Sequence, residues 1–308
     1  MTIHIFGEAM LEFHSSTATG GIQAGGDTLN TAIHLARLGH DVRYVTAVGR
    51  DPFSDEMVAA WEAEGIDTRF VLRHPFRHPG AYAIRLDDAG ERSFLYWRER
   101  SAAREVFALE GIEQAMRSAE AGALVYFSLI TLAVIPAAER LRLIDMAARV
   151  SARGGLVAYD SNYRAALWEN QSQCRAASEQ AISCATIGLP TNSDEAQIAG
   201  RSLDEEQIAD RWNELGCAEV IVKAGESGAV VRSSDGTARY PASSIDVVDT
   251  SGAGDAFNAG YLSGRLRGQS IVKSVEIGRD LASWVIGRYG ALPPPDHLAP
   301  YKRPTSLA

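Results

Sequence analysis

The sequence has few cysteines and no excess of positive charge. Its three cysteines, Cys174, Cys184 and Cys217, lie far apart and form no C-x-x-C pair, so we interpret them as reduced structural residues. Acidic residues outnumber lysine plus arginine by 39 to 30, a net charge of -9, which disfavours binding along nucleic acid. No basic segment followed by an apolar one opens the chain, so no secretory signal is predicted.

One uncharged stretch, residues 121–138, is long enough to raise the question of a membrane span. It divides into a β-rich run at 124–127 and a helix start near Pro136, which is typical of a buried parallel strand that enters a helix. We therefore expect no membrane partner, and we expect the protein to be cytoplasmic.

Short apolar runs alternate with helical patterns along most of the 308 residues. This alternation is typical of βαβ units and a mainly parallel sheet. Strands are predicted at 3–7, 42–48, 124–127, 156–160, 185–189 and 220–222, and helices at 28–38, 54–64, 139–152, 253–266 and 271–286. No repeat or low-complexity linker divides the chain, so we expect an α/β fold in a single domain over 1–308.

Residues 80–98 depart from this alternation of strands and helices, because their pattern predicts a strand, a turn and a second strand. If the turn is centred at Ala89, Tyr82 lies opposite Tyr96 in an antiparallel hairpin. Arg85 and Trp97 then lie on one face, and the other face carries Tyr82, Ile84, Phe94, Tyr96 and Arg98. A hairpin inserted into an α/β chain is a candidate lid, and a plain edge hairpin is the alternative.

The segment 245–257 carries the strongest chemical signal, because a strand-like run feeds a glycine-rich turn and then a helix. The first backbone N–H groups of a helix have no partner within it and lie at the positive end of its dipole, which suits Gly252, Ala253 and Gly254 to an anion. Asp255 stands at the same place, which indicates a base that takes a proton from an attacking hydroxyl beside a bound phosphate. The alternative is an aspartate that only caps the helix.

Two nucleotide-binding motifs are excluded. Phe257 stands where a dinucleotide fingerprint places its third glycine, so the close approach of helix and sheet fails. The sequence contains no G-x-x-x-x-G-K-[ST], so it is not a P-loop enzyme.

Weaker signals lie elsewhere in the chain. Gly25, Gly26 and Asn30 form a corner before a helix that can grip sugar hydroxyls, and the turn at 223–228 can pass over a nucleotide. Residues 160–164 follow a strand, where open α/β sheets bind their ligands.

Asn192 and Glu195 stand three residues apart after a predicted strand. Two interpretations are open for this spacing. One is a helix capping box, and the other is a hydrated Mg²⁺ site.

Together these elements resemble the ribokinase-like, or PfkB, carbohydrate kinases. The resemblance rests on Gly25-Gly26 with Asn30, on N-x-x-E at 192–195, on K-x-G-x-x-G at 223–228 and on D-T-x-G-A-G-D at 249–255. It implies a three-layer α/β/α sandwich with a mostly parallel central sheet and a small inserted β-sheet lid formed by about 12–24 and 66–100. It also implies transfer of the ATP γ-phosphate to a sugar hydroxyl, with Asp255 as general base and Gly252, Ala253 and Gly254 in the anion hole.

Within that family, residues 25–31, 94–98 and 160–168 look like those of 2-keto-3-deoxygluconate kinases. The resemblance implies substrate contacts from Tyr82, Tyr96, Arg98 and Arg164. A planar guanidinium at Arg98 suits the carboxylate of a sugar acid, which a neutral ketose lacks. Glu8 stands where many members carry an aspartate for sugar hydroxyls, so it is a further candidate contact.

The resemblance also implies the ligands on the ATP side. It places ATP near Asn162, Arg164, Asn192, Lys223, Gly225, Gly228, Gly252, Gly254 and Ser283. It implies Mg²⁺ held through water by Asn192 and Glu195, and it raises K⁺ as a monovalent cation near Asp249. The exposed edges of the lid favour a homo-oligomer.

Other functions stay open at this point. The substrate alternatives are fructose and 5-keto-2-deoxygluconate, whose kinases have a similar segment around Arg164. A non-catalytic sugar-binding regulator is the alternative from another class, and the intact 252–255 loop argues against it.

Overall fold

The computed structural model describes residues 1–14, 22–86 and 92–301. The strands, numbered in chain order, are β1 (Thr2–Phe6), β2 (Met10–His14), β3 (Ile22–Gly25), β4 (Asp41–Val48), β5 (Ile66–Asp67), β6 (Val71–Arg73), β7 (Gly80–Leu86), β8 (Arg92–Trp97), β9 (Leu124–Ser128), β10 (Leu156–Asp160), β11 (Ile187–Gly188), β12 (Glu219–Lys223), β13 (Ala229–Ser233) and β14 (Gly236–Tyr240). The α-helices are α1 (Asp27–Arg37), α2 (Pro52–Ala63), α3 (Ile112–Glu120), α4 (Leu129–Val134), α5 (Ala137–Ala152), α6 (Gln171–Cys184), α7 (Asn192–Ala199), α8 (Glu205–Glu214), α9 (Ala253–Leu266) and α10 (Ile271–Ile286).

The main sheet has the order β14-β13-β12-β11-β10-β9-β1-β4-β5, and β6 also pairs with β4. Pairing is parallel from β12 through β5, whereas β12, β13 and β14 pair antiparallel. The central parallel strands are buried on both faces, which is why they read as continuous apolar runs in the sequence, whereas β14 at the edge is largely exposed. In β9, for example, Val125 and Phe127 face one core while Leu124 and Tyr126 face the other.

Helices cover both faces of this sheet. Residues of α1, α9 and α10 pack into one core, and residues of α3, α5, α6 and α8 pack into the other. The predicted three-layer α/β/α architecture is therefore confirmed.

A separate four-stranded sheet, the lid, has the order β3-β2-β7-β8. Tyr82 lies opposite Tyr96, as the hairpin pattern predicts. The predicted bounds of the lid are too wide on one side, because β5 and β6 at 66–73 pair with β4 of the main sheet. Ile66 and Val71 are buried in the main core, so the short apolar runs there extend the main sheet, and the second lid segment starts at Gly80.

The uncharged stretch 121–138 belongs to the main domain. It forms β9, then α4, which begins at a capping box made by Ser128 and Thr131, and then the start of α5. Among the helices of the described residues, none is long and apolar enough to cross a membrane. The cysteines Cys174, Cys184 and Cys217 are free and buried, and burial raises the pKa of each thiol to about 12.

Candidate active site

A cleft of ≈ 1840 Å³ lies between the lid and the main sheet. Its floor receives side chains from the carboxyl ends of parallel strands, such as Asp160 of β10 and Lys223 of β12, together with the first turns of α1 and α9. Parallel strands end at one edge of a sheet, so residues far apart in sequence converge there. The predicted location of the site at these strand ends is therefore where the cleft lies.

Asp255 lies in the first turn of α9, on the floor of the cleft. The helix begins after Gly252, whose φ of 70° is a left-handed conformation that favours glycine. A Cβ at Gly252 would also lie 2.5 Å from the Cβ of Ala291, so no larger residue fits this turn. Gly252, Ala253 and Gly254 line the cleft beside Asp255, which places the first N–H groups of α9 at this wall.

The Asp255 carboxyl is almost fully buried, and burial raises its pKa to about 8. The negative charge of Asp27 raises the pKa further, whereas a 2.8 Å hydrogen bond donated by Asn30 Nδ2 to Asp255 Oδ2 opposes the shift. A carboxylate whose pKa lies near neutral pH accepts a proton readily and releases it again. Asn30 also lines the cleft, so its predicted contact with the sugar stays a prediction, while its amide nitrogen holds the candidate base.

The ammonium of Lys223 lies beside the first turn of α9 and is held by a buried polar network. Its ammonium donates hydrogen bonds to Asp160 Oδ1 at 3.0 Å and to Asn258 Oδ1 at 3.1 Å. Asn258 in turn donates to Asp160 Oδ2 at 2.8 Å and to the Tyr126 hydroxyl at 3.2 Å. A Cβ built on Gly254 would lie 3.7 Å from Lys223 Nζ, so the ammonium stands directly beside the helix terminus.

Several further carboxylates line the cleft, and those that act on Asp255 or Lys223 include three that were not predicted as site residues: Asp27, Asp160 and Asp194. Burial raises the pKa of Asp27, and it raises the pKa of Asp194 to about 6, with the charge of Asp160 adding to the effect on Asp194. Asn162 donates a 3.3 Å hydrogen bond to Asp27 Oδ2. Asp160 ends β10 and Asp194 lies in the first turn of α7 after β11, so their position at the carboxyl ends of main-sheet strands could have revealed them. Asp27 instead opens α1 after the lid strand β3.

The lid contributes an aromatic wall. The side chains of Tyr82, Ile84, Phe94, Tyr96 and Arg98 all line the cleft, as the predicted alternation requires. The rings of Tyr82 and Tyr96 lie 5.7 Å apart, and those of Phe94 and Tyr96 stack at 6.1 Å. The half-exposed rings of Phe94 and Tyr96 offer apolar area that a ligand can cover.

The two arginines predicted to contact substrate differ in their surroundings. Arg98 is buried, and its Nε donates a 2.9 Å hydrogen bond to Glu8 Oε2, which also accepts one from Nη2. Arg164 is exposed at the cleft wall and donates from Nη1 to the Tyr163 carbonyl at 2.7 Å. Glu8 was predicted to touch the sugar, but it is not among the residues that line the cleft.

Gly25 and Gly26 lie at the end of the lid strand β3 and line the cleft. A Cβ at Gly25 would lie 2.2 Å from the Tyr82 hydroxyl, so the glycine allows that ring to sit against the backbone. Gly26 has a φ of 151°, and a Cβ there would lie 2.5 Å from the Glu8 carbonyl oxygen. Close backbone approach, as predicted, is thus the reason for glycine at both positions.

On the side predicted for the nucleotide, the structure separates the expected residues. Asn192 donates a 3.3 Å hydrogen bond to Glu205 Oε1, and Glu195 is buried against Arg211 at 3.1 Å. Neither lines the cleft, whereas Ser193 and Asp194 between them do. The capping-box alternative is wrong, because the N-cap of α7 is Thr191 and Asn192 is already the first helical residue. Asn192 Oδ1 accepts from the N–H of Ser193 at 2.7 Å, and Glu195 pairs with Arg211 instead.

The remaining residues predicted for ATP also divide. Lys223 lines the cleft, but Gly225, Gly228 and Ser283 are not among its lining residues. Gly228 has a φ of 89°, and a Cβ there would lie 2.0 Å from the Tyr240 carbonyl oxygen, so the turn itself requires glycine. Asp249 lines the cleft and accepts hydrogen bonds from the N–H groups of Ser251 at 2.8 Å and Gly290 at 2.9 Å.

The donor set suits a hydrated divalent cation better than a fully protein-bound one. No cluster of three or more histidine, cysteine, aspartate or glutamate side chains that could hold a metal exists within residues 1–14, 22–86 and 92–301. Single carboxylates such as Asp194 and Asp160 do face the cleft. Mg²⁺ keeps several waters and uses few carboxylates together with substrate phosphates, so these residues fit it.

Residues 8–297 match the sequence pattern of the family described as pfkB family carbohydrate kinase. The chain belongs to this family. The kinase is 37% identical over 300 residues to the 2-dehydro-3-deoxygluconokinase of Dickeya dadantii, covering 95% of this chain and 96% of that protein. It is 36% identical over 299 residues to the enzyme of the same name from Haemophilus influenzae, covering 94% and 95%.

The chain is also similar to more distant proteins. A fructokinase of Escherichia coli is 28% identical and covers 78% of this chain and 76% of its own. A solved structure of a putative ribokinase II from E. coli in complex with ATP and Mg²⁺ superposes with a TM-score of 0.80 at 21% identity, over 94% of each chain. This last likeness confirms the ribokinase-like fold.

Proposed function

We propose that this carbohydrate kinase transfers the γ-phosphoryl group of ATP to the 6-hydroxyl of 2-dehydro-3-deoxygluconate, which is 2-keto-3-deoxygluconate, giving its 6-phosphate and ADP. The observation that carries the proposal is Asp255, a buried carboxyl of raised pKa at the first turn of α9, in a cleft whose lid presents Arg98 and an aromatic wall. The identity to enzymes of this name over nearly the whole chain supports the choice of substrate.

Asp255, Asn30, Lys223 and the first turn of α9 have separate roles in the proposed reaction. The oxygen–phosphorus bond to the sugar forms as the bond between the γ-phosphorus and the bridging oxygen of ADP breaks. Asp255 takes the proton from the sugar hydroxyl, and Asn30 fixes the carboxylate that receives it. The N–H groups at Gly252, Ala253 and Gly254, with the ammonium of Lys223 beside them, stabilise charge on the transferring phosphoryl group.

On the ATP side, the proposal uses the residues that face the cleft. Asn162, Arg164 and Lys223 line it and bind the phosphates, with Asp194 holding Mg²⁺ through water in place of the predicted Asn192 and Glu195. When bound, Mg²⁺ neutralises phosphate charge. Gly225, Gly228 and Ser283 shape or flank the nucleotide side without lining the cleft.

K⁺ near Asp249 remains part of the proposal. Asp249 Oδ1 accepts a hydrogen bond from Ser251 within the 249–254 loop, and Oδ2 accepts one from Gly290, which joins the loop to the segment after α10. A cation beside Asp249 would act on this same loop. Replacing Na⁺ by K⁺ in the assay should then raise kcat, and equal rates would remove the cation from the proposal.

The sugar acid is recognised on the lid side. Tyr82 and Tyr96 form a wall against the sugar, and Arg98 supplies the cation for the carboxylate. A water molecule in this cleft would compete as phosphoryl acceptor, so a lid that covers the sugar suppresses ATP hydrolysis. We place the reaction in the cytoplasm, in keeping with three free, buried cysteines.

We further propose a homodimer through the lid. The face of the lid opposite the aromatic wall carries Phe13, Ile22, Leu95 and Trp97, which are all exposed. Leu11 and Ala24 lie on the same face of the lid. A second copy of the same lid is the partner that matches it in apolar character. Sedimentation analysis should show a dimer that Leu95→Asp dissociates, and a monomeric wild-type protein would overturn this part.

The function is tested by ADP release with a panel of sugars, coupled to product mass. We expect the highest kcat/KM with 2-keto-3-deoxygluconate and a product heavier by one phosphoryl group. A higher kcat/KM with fructose or 5-keto-2-deoxygluconate would replace the substrate. Thermal stabilisation by sugar without any ADP release would instead identify a sugar-binding regulator.

A further inference from the structure

All four chain connections between the main domain and the lid meet at Glu8. Glu8 itself lies between β1 of the main sheet and β2 of the lid, and Gly26, where β3 leads into α1, lies against its backbone carbonyl. Gly80 opens β7, and a Cβ there would lie 3.1 Å from Glu8 Oε1. Arg98 follows β8, where the chain returns to the main domain, and its guanidinium is bound to the Glu8 carboxylate.

The ion pair at this junction is almost completely enclosed. The side chains of Glu8 and Arg98 are only 1% and 7% exposed. A single oxygen, Oε2, accepts hydrogen bonds from both Nε and Nη2, while Nη1 has no hydrogen-bond partner among the described residues. An arginine presents its donors in a rigid planar fork, so two bonds to one carboxylate fix the orientation of the remaining nitrogen.

The two partners face different surroundings. Arg98 lines the cleft and stands 6.0 Å from the Tyr96 ring of the aromatic wall, whereas Glu8 is not among the lining residues. Glu8 is thus placed to act on a bound sugar through Arg98. This differs from the role predicted from the sequence, in which Glu8 touches sugar hydroxyls itself.

We propose that Glu8 is a positioning residue. It fixes the guanidinium of Arg98 toward the substrate carboxylate and holds Arg98 at the point where the lid joins the main domain. This inference rests on the proposed function, since it concerns the same sugar-acid site. Selection of an acidic sugar then depends on the pair, because Glu8 sets where the positive charge of Arg98 lies.

A double-mutant cycle tests the proposal with the full-length protein. Glu8→Asp keeps the charge but withdraws the carboxylate by one methylene, so the guanidinium loses its fixed place. We expect its KM for the sugar acid to rise at least about fivefold, with kcat and the KM for ATP within about twofold of wild type. Arg98→Met should raise the same KM by about tenfold or more.

The cycle is decided by the double variant, because residues that act through one another are not additive. Glu8→Asp/Arg98→Met should have the KM of Arg98→Met alone, within about twofold. If the Glu8→Asp effect persists in full beside Arg98→Met, Glu8 contacts the sugar directly and the inference is wrong. A Glu8→Asp KM equal to wild type would also overturn it.

Two further measurements keep the outcome interpretable. If Glu8→Asp does not fold by circular dichroism, the cycle is run with Glu8→Gln, which keeps the side-chain length, and the same loss of its effect beside Arg98→Met is required. Wild-type turnover of 2-keto-3-deoxygluconate is measured first. Its absence would refute the proposed function, whereas additivity in an active enzyme would refute only the role of Glu8.

Discussion

The floor of the cleft and its lid wall are built in different ways. On the floor, Asp160, Asn258 and Lys223 are buried and joined by hydrogen bonds of 2.8 to 3.1 Å, and the buried Asp255 accepts one from Asn30 of α1. The wall is a small sheet with half-exposed rings, and its buried link to the main domain includes the Glu8–Arg98 ion pair. Fixed charges on the floor suit a reaction common to every acceptor, whereas the wall suits the choice of acceptor.

The largest effect is expected from removal of the candidate base. Asp255→Asn keeps the shape and the acceptor for Asn30 but cannot take a proton, so kcat should fall by about 10²- to 10⁴-fold. Steady-state ADP release with several sugars measures this, and the loss should be the same for each. A kcat near wild type, with the melting temperature unchanged, would remove Asp255 from the mechanism.

The second prediction concerns the ammonium on the floor. Lys223→Met should lower kcat by about 10²- to 10³-fold, which is the usual effect of removing one donor that stabilises negative charge in a transition state. Because this removes the counter-ion of the buried Asp160, the protein should also lose thermal stability. The matched control is Asp160→Asn/Lys223→Met, which should regain stability but not kcat. Recovery of both would show that Lys223 has only a structural role.

The third prediction is a pH dependence set by Asp255. Because burial raises its pKa to about 8, the base is protonated below that pH, and kcat/KM should fall as pH drops through about 8. Asp27→Asn removes the negative charge that adds to the shift, so the midpoint should move to lower pH. A pH–rate profile of both proteins measures this. An unmoved midpoint would show that Asp27 does not act on the base.

The smallest effect is expected on the wall. Tyr96→Leu removes ring area that covers the sugar, so the KM for the sugar should rise by about threefold to tenfold, as for loss of about 1 kcal/mol of apolar contact. The kcat and the KM for ATP should stay near wild type. Ser93→Ala, on the opposite face of the same strand, is the control and should change neither KM. A fall in kcat instead would mean that the wall takes part in the transfer step.

The sequence predicted the main fold well because its signals there are local. The bounds of α9 and α10 agree with the prediction, since each helix has a continuous apolar pattern and a clear start. The helices α3, α6 and α8 were not predicted, and neither were β13 and β14, which pair antiparallel at the edge of the main sheet. Short polar helices and edge strands give weak periodicity, and tertiary packing decides them.

The candidate site was predictable in part. Asp255 and the glycines before it stand in one continuous segment, and alternation alone placed Tyr82 and Tyr96 on one face. Pairs distant in sequence escaped detection, such as Lys223 with Asp160 and Glu8 with Arg98. Only the folded sheet brings them together. Glu195 is a residue that the sequence predicted as a metal ligand from its spacing to Asn192. In the fold it is buried against Arg211 instead.

One measurement tests the division between floor and wall most directly. It is the ratio of kcat/KM for 2-keto-3-deoxygluconate to kcat/KM for its neutral C1 amide, in wild type, Arg98→Met and Lys223→Met. We predict that Arg98→Met lowers the ratio by about tenfold or more, through loss of a charge-assisted bond, while Lys223→Met lowers both values and leaves the ratio unchanged. An equal loss for both substrates in Arg98→Met would contradict the account.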